Sequence, residues 1–257
     1  MATTSALRPR SVTEIVDAAF QVLRAHYAQF VMCSAIAYTP WLVLELIFLG
    51  DPENAPTPNM TFALGALAAG IGLWVTFALM SAVIITCASQ AYLGDPVDVA
   101  GAVRRALPRL HRVMIAAVVR YALLMLGVLT LFIGSLYVIA RYFALTPAII
   151  LEDVGPFAAM KRSSQLSHDR KWHILNTIGL VGIIYWILAI GVSMLAAIPG
   201  VFMIQAIAGA TFTILSYPVI AITEALLYYD ARIRSEGLDI ELMAGELGLP
   251  TSETAAS

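Results

Sequence analysis

Six stretches of this chain are apolar over about the 20 residues that a helix needs to cross a bilayer. No other property of the sequence limits its possible folds so severely. The stretches cover 30–49, 61–90, two runs within 112–153, 172–198 and 201–229, and the middle pair joins near Gly134–Ser135. In hydrocarbon a backbone finds no water to bond, so a spanning segment must satisfy its own polar groups as a helix or within a closed barrel. Composition agrees: 60% of residues are hydrophobic and only 12% are charged, against about 25% charged in a soluble domain. The expected fold is all-α, a polytopic transmembrane helix bundle of six spans.

Basic residues set the expected orientation. Thirteen of the 15 Lys and Arg residues fall before the first span, between spans two and three, between spans four and five, or after span six. The remaining two lie inside apolar runs, and the opposite side carries only Asp51 and Glu53. The positive-inside rule then places both termini in the cytoplasm of a bacterial inner-membrane protein. The opening residues lack the apolar core of a signal peptide, so the first span is expected to serve as the insertion signal. Three regions follow: a cytoplasmic N-terminus with an interfacial helix (1–29), the six-helix membrane domain (30–229) and a cytoplasmic tail (230–257).

Within this layout a repeat emerges. Ser11 and Glu14 have the spacing of a capping box, and Val12, Ile15, Val16, Ala19, Leu23 and Tyr27 then recur at helical intervals. The stripe predicts an amphipathic helix lying on the membrane with its apolar side in the acyl boundary; packing on protein is the alternative. Segments 97–112 and 155–171 have similar length and are partly basic. The expected plan is therefore three units, each a cytoplasmic amphipathic helix followed by a two-span hairpin.

Four ionisable residues interrupt the apolar runs: Glu45, Arg120, Arg141 and Glu224. A charge at the centre of a membrane helix costs roughly 2.5–3.5 kcal/mol on insertion scales, so each needs a partner or a wet cavity. Counting depth along the helices predicts two pairs, Arg120 with Glu224 in the inner half and Arg141 with Glu45 in the outer half. Spans three and six, and one and four, would then be neighbours. A second reading has the same four charges lining a path for ions or polar head groups. Pro40, Pro147 and Pro218 should bend spans one, four and six. Cys33 and Cys87 fall toward the same side of the membrane and read as reduced, buried thiols. The basic clusters Arg104, Arg105, Arg109 and Arg112, and Lys161, Arg162, Arg170 and Lys171, are candidates to hold anionic lipid head groups. His168, Asp169 and His173 lack the i, i+4 spacing of a helical metal pair, so no metal or other cofactor is expected. No phosphate-binding loop, nucleophile elbow or paired-cysteine motif is present, and a net charge of −2 argues against nucleic acid as a partner.

Several segments resemble the membrane domain of bacterial glycerophosphoryl diester phosphodiesterases. They are Arg10-Ser-Val-Thr-Glu-Ile-Val-Asp-Ala-Ala-Phe20, Gly94-Asp-Pro-Val97, Arg141 followed by Leu145-Thr-Pro-Ala-Ile-Ile-Leu-Glu152, and Gly155-Pro-Phe-Ala-Ala-Met-Lys-Arg-Ser163. The most specific is Leu226-Leu-Tyr-Tyr-Asp-Ala-Arg-Ile-Arg-Ser-Glu-Gly-Leu-Asp-Ile-Glu241. In fused members of that family a separate barrel performs catalysis; the resemblance implies a membrane module without the barrel and carries no catalytic residue to this chain. The expected function is a non-enzymatic accessory or lipid-associated membrane protein, with membrane lipids as partners and other membrane proteins as candidate partners within a larger complex. A small carrier or lipid translocator using Glu45, Arg120, Arg141 and Glu224 is the alternative.

Overall fold

A computed structural model describes residues 9–46, 60–194 and 202–236. The turn holding Asp51 and Glu53, the Pro199-Gly200 stop and the tail beyond residue 236 lie outside the described residues. Ser11 opens the first helix as its spacing predicts: its hydroxyl accepts from the Glu14 N–H at 3.4 Å, and the Glu14 carboxylate accepts from the Ser11 N–H at 2.7 Å. Helix α1 runs Val12–Ala25, α2 Tyr27–Leu44 and α3 Met60–Leu93. The second unit comprises α4 (Val99–Ala106), α5 (Leu110–Val128), α6 (Ile133–Arg141) and α7 (Leu145–Leu151). The third comprises α8 (Pro156–Leu166), α9 (Lys171–Ser193) and α10 (Phe202–Glu236). Every described element is helical, and six stretches are long and apolar enough to span a membrane, with α6 and α7 together forming the fourth. In each unit a short helix, α1, α4 or α8, precedes the hairpin.

The apolar stripe of α1 does not face lipid. Ile15 and Ala19 are fully buried, and α1 packs on α10 and α9. Those two long helices already present apolar surface at the depth where α1 leaves the chain's start, so the stripe is satisfied by protein. The core lies where α3, α7 and α10 meet, with Met80, Ile84, Ile149, Ile222 and Leu227 at its centre. Cys33 on α2 and Cys87 on α3 belong to it as free thiols, their sulfurs 3.4 Å apart.

Two features shape the central hairpin. The turn between α5 and α6 falls at residues 129–132, earlier than the glycines suggest, with Leu131 and Phe132 in the left-handed region at φ 52° and 67°. Gly127 and Gly134 serve the crossing instead: a Cβ on Gly127 would stand 2.4 Å from the Ser135 nitrogen, and one on Gly134 would stand 2.8 Å from the Gly127 Cα. Only bare backbones approach so closely, as in other small-residue membrane interfaces. The chain then breaks between α6 and α7. Pro147 has no N–H for the Phe143 carbonyl and its ring crowds that carbonyl, so the helix restarts at Leu145 with the proline in its first turn. Ser163 of α8 repairs the gap. Its buried hydroxyl accepts from the Ala144 N–H and donates to the Arg141 carbonyl, each at 3.0 Å.

One end of the bundle is held by charge. Asp230, only 4% exposed, accepts from the Arg10 backbone N–H at 2.7 Å and from Arg234 at 2.8 Å. Residue 10 and the end of α10 thus sit at the same end of the bundle. Beside them the Nε of Arg162 lies 2.8 Å from both Glu152 oxygens, and its terminal nitrogens grip Glu236. The hydroxyl of Tyr228 donates to Glu152 at 2.6 Å. Arg170 caps the last turns of α10 by donating to the carbonyls of Ala231 and Arg234, an arrangement that also suits the negative end of the helix dipole.

Candidate functional site

A cavity of about 500 Å³ lies among α3, α5, α9 and α10, with Phe143 and Thr146 on its wall nearer the basic end. That is within the usual size of sites for small ligands. Arg120 of α5 and Glu224 of α10 both line it. Arg120 is ten residues into α5, about 15 Å along the axis, and Glu224 is twelve residues, about 18 Å, from the end of α10. Both therefore lie deep within the bundle.

The two charges share this space without bonding. The Nε of Arg120 and one carboxylate oxygen of Glu224 are buried and have no hydrogen-bond partner. Their charges are nevertheless near enough to interact. Helices α5 and α10 are not packed as close neighbours, so the expected direct pair is replaced by two charges facing one cavity. Arg120 rests against the ring of Tyr121, 5.8 Å from its centroid, and Tyr121 meets Trp74 of α3 edge-on at 5.8 Å. Tyr185 of α9 and Tyr217 of α10 complete an aromatic wall. Two of its lining residues, Tyr121 of α5 and Trp186 of α9, are 46% and 70% exposed, so the cavity reaches the surface of the bundle beside them. Nothing in the sequence marks these aromatics as a group, because they come from four separate spans.

Arg141 and Glu45 are not a pair. Arg141 ends α6, and its carbonyl is bonded by Ser163 and Ser167 at the basic end. Its guanidinium donates to the Tyr137 hydroxyl at 2.5 Å and lies over the rings of Tyr137 and Tyr142. Glu45 closes α2 at the opposite end, beside Trp41. The depth count placed both in one half because it treated span four as a single straight helix; the break at Tyr142–Ala144 ends α6 after nine residues.

The eight candidate head-group residues divide. Arg109 and Arg112 bind Asp153 at 2.8 and 3.0 Å, while Arg162 and Arg170 belong to the network around α10. Lys171 points at the Tyr137 ring, 5.2 Å from its centroid. Arg104, Arg105 and Lys161 are exposed. Asp153 is held below the usual carboxylate range by its hydrogen bond from Arg109, with Arg112 adding to the effect. Glu152, Tyr228, Asp230 and Glu236 anchor the basic end; in the sequence they stand only as parts of the segments that carry the resemblance, without a role of their own. The i, i+4 spacing of Asp230 with Arg234 and of Arg232 with Glu236 was the available signal. His173 approaches Asp230 at 3.4 Å, whereas His168 bonds Asp169 at the surface. Among the described residues no three His, Cys, Asp or Glu side chains converge as a metal site would require.

Fold and cavity together define a multi-pass membrane protein built from three helix-plus-hairpin units. No family model, no curated protein and no solved structure matches the chain.

Proposed function

We propose that this protein is a lipid-associated module of the membrane that holds a phospholipid by its head group in the central cavity, without catalysing a reaction on it. One observation carries the reading: a cavity whose lining residues Tyr121 and Trp186 reach the surface of the bundle presents an unpartnered guanidinium N–H in mid-bundle. Guanidinium is the side chain best suited to phosphate oxygens. A site reached from within the bilayer admits a lipid more readily than a water-soluble substrate. The resemblance to a phosphodiesterase membrane domain fits a module of this kind, and the exposed Arg104, Arg105 and Lys161 suit anionic head groups at the cytoplasmic surface. The orientation proposed is that both termini face the cytoplasm of a bacterial inner membrane.

Native mass spectrometry after mild detergent extraction tests the reading. The expected result is one tightly retained phospholipid per chain, lost in Arg120→Gln while the protein stays folded. Wild-type protein that carries no lipid, or an Arg120→Gln variant that keeps it, would refute the assignment. Stoichiometric foreign subunits in place of lipid would make the chain an accessory component of a complex.

A further inference from the structure

The two unpartnered charges also specify the chemistry of the head group, an inference that rests on the lipid-binding reading above. Arg120 offers only donors, while the free Glu224 oxygen offers only an acceptor when ionised. A ligand of one sign satisfies one residue and opposes the other: a phosphate on Arg120 brings negative charge toward Glu224, and a bare ammonium on Glu224 brings positive charge toward Arg120. Inside the bundle such an uncompensated charge is expensive. A ligand carrying both signs satisfies both residues and adds no net charge.

We propose that the cavity selects a phospholipid with a zwitterionic head group ending in a primary ammonium, its phosphate on Arg120 and its ammonium on Glu224. The ammonium must carry an N–H because the buried Glu224 oxygen lacks a donor; a quaternary ammonium has none to give, and a primary one has three. The aromatic wall, with Tyr217 beside Glu224 on α10, adds attraction for the cation through its ring faces. The ligand is an amphiphile rather than a soluble zwitterion because of what adjoins the cavity. A second cavity of about 620 Å³, apolar and lined by Leu23 of α1, Leu188 of α9 and Leu215 of α10, lies next to the first. Val181, Tyr185 and Ile220 line both. A head group held between Arg120 and Glu224 therefore has apolar space beside it in this neighbouring chamber, and the exposed rings of Tyr121 and Trp186 where the first cavity reaches the surface.

The test is a competition in which purified protein is exchanged into mixed micelles with equal amounts of phosphatidylethanolamine, phosphatidylcholine and phosphatidylglycerol. The retained lipid is then identified by native mass spectrometry. Wild-type protein is expected to enrich phosphatidylethanolamine about tenfold or more over each competitor, the scale of one charge-assisted hydrogen bond. Glu224→Gln should abolish the enrichment over phosphatidylglycerol, and Arg120→Gln should lower retention of all three. The wild-type comparison needs no variant to fold. Preference for phosphatidylglycerol, or equal retention of the three, overturns the zwitterion assignment and leaves the lipid-binding reading standing. Enrichment that Glu224→Gln does not alter also overturns it, placing water rather than an ammonium on that carboxylate. Retention of no lipid by wild-type protein removes both.

Discussion

Replacing Gly127 by alanine should damage this protein far more than one methyl group suggests. The new Cβ would stand 2.4 Å from the Ser135 nitrogen, 2.6 Å from the Gly134 carbonyl carbon and 2.9 Å from the Ser135 Cα. Ordinary contact between heavy atoms begins near 3.5 Å, so α6 must retreat from α5 by about 1 Å. All three obstacles are backbone atoms, and none can rotate away as the tip of a side chain can. Overpacking of this kind costs about 1–3 kcal/mol, and the rigid surroundings place Gly127→Ala near the upper end. Gly179→Ala is the matched control, since a Cβ there meets nothing within 4 Å. The same substitution in that open helical position gains up to about 1 kcal/mol from helix propensity. Equilibrium unfolding in mixed micelles, followed by far-ultraviolet circular dichroism, should therefore show the two variants moving in opposite directions from wild type. Equal behaviour of the two would refute the reasoning, because it would mean that α5 and α6 do not cross through their glycines.

Ser163→Ala should destabilise the bundle by about 1–3 kcal/mol in the same assay, because it leaves the buried Ala144 N–H without a partner and takes from the Arg141 carbonyl one of its two serine donors; a change below about 0.5 kcal/mol would mean that other groups close the break. The Asp153 latch should add a small acid sensitivity. Its carboxyl titrates below the ordinary range when folded, so its contribution is present above about pH 4 and is lost as pH falls through the depressed value. Asp153→Asn should flatten that part of the stability profile, and asparagine suits the left-handed backbone at φ 56° there. An unchanged acid limb would show that Arg109 and Arg112 do not hold the loop through this charge.

Much of this architecture was legible because it follows from local rules. A run of apolar residues needs a helix in hydrocarbon, Ser11 and Glu14 cap each other across three residues, and the repeat of short helix plus hairpin shows in the alternation of basic and apolar stretches. The parts that were not legible depend on where separate helices come together. Nothing local in the α1 stripe says whether lipid or the flanks of α9 and α10 will cover it. Depth counting placed Arg120 and Glu224 in the same region of the bundle but could not show that a cavity keeps them from bonding. It failed for Arg141 because Pro147 acts through a carbonyl four residues earlier, breaking the span where the hydropathy is still high. Ser163 then became the residue that bonds the Arg141 carbonyl, although nothing in its own surroundings in the sequence marks it for that role.

The energetics of Arg120 make the cavity matter to the fold, whatever it binds. Burying the guanidinium costs roughly 2.5–3.5 kcal/mol, and its contact with Tyr121 offsets about 0.5–2 kcal/mol of that. An ion pair with Glu224 would cover the remainder, but the helices are held apart. Charge anchors α10 to α8 and α9 at the basic end, and the glycine crossing holds α6 tightly against α5. Membrane helices lack a hydrophobic drive to close such a gap, since lipid is as apolar as their side chains. The remaining stabilisation must come from what fills the space. Arg120→Leu, a replacement without charge, thus separates structural from binding roles: it should preserve or raise stability in lipid-free micelles and remove the stabilisation that added phosphatidylethanolamine gives the wild type. A wild type that gains nothing from the lipid would mean that Arg120 is satisfied by water alone.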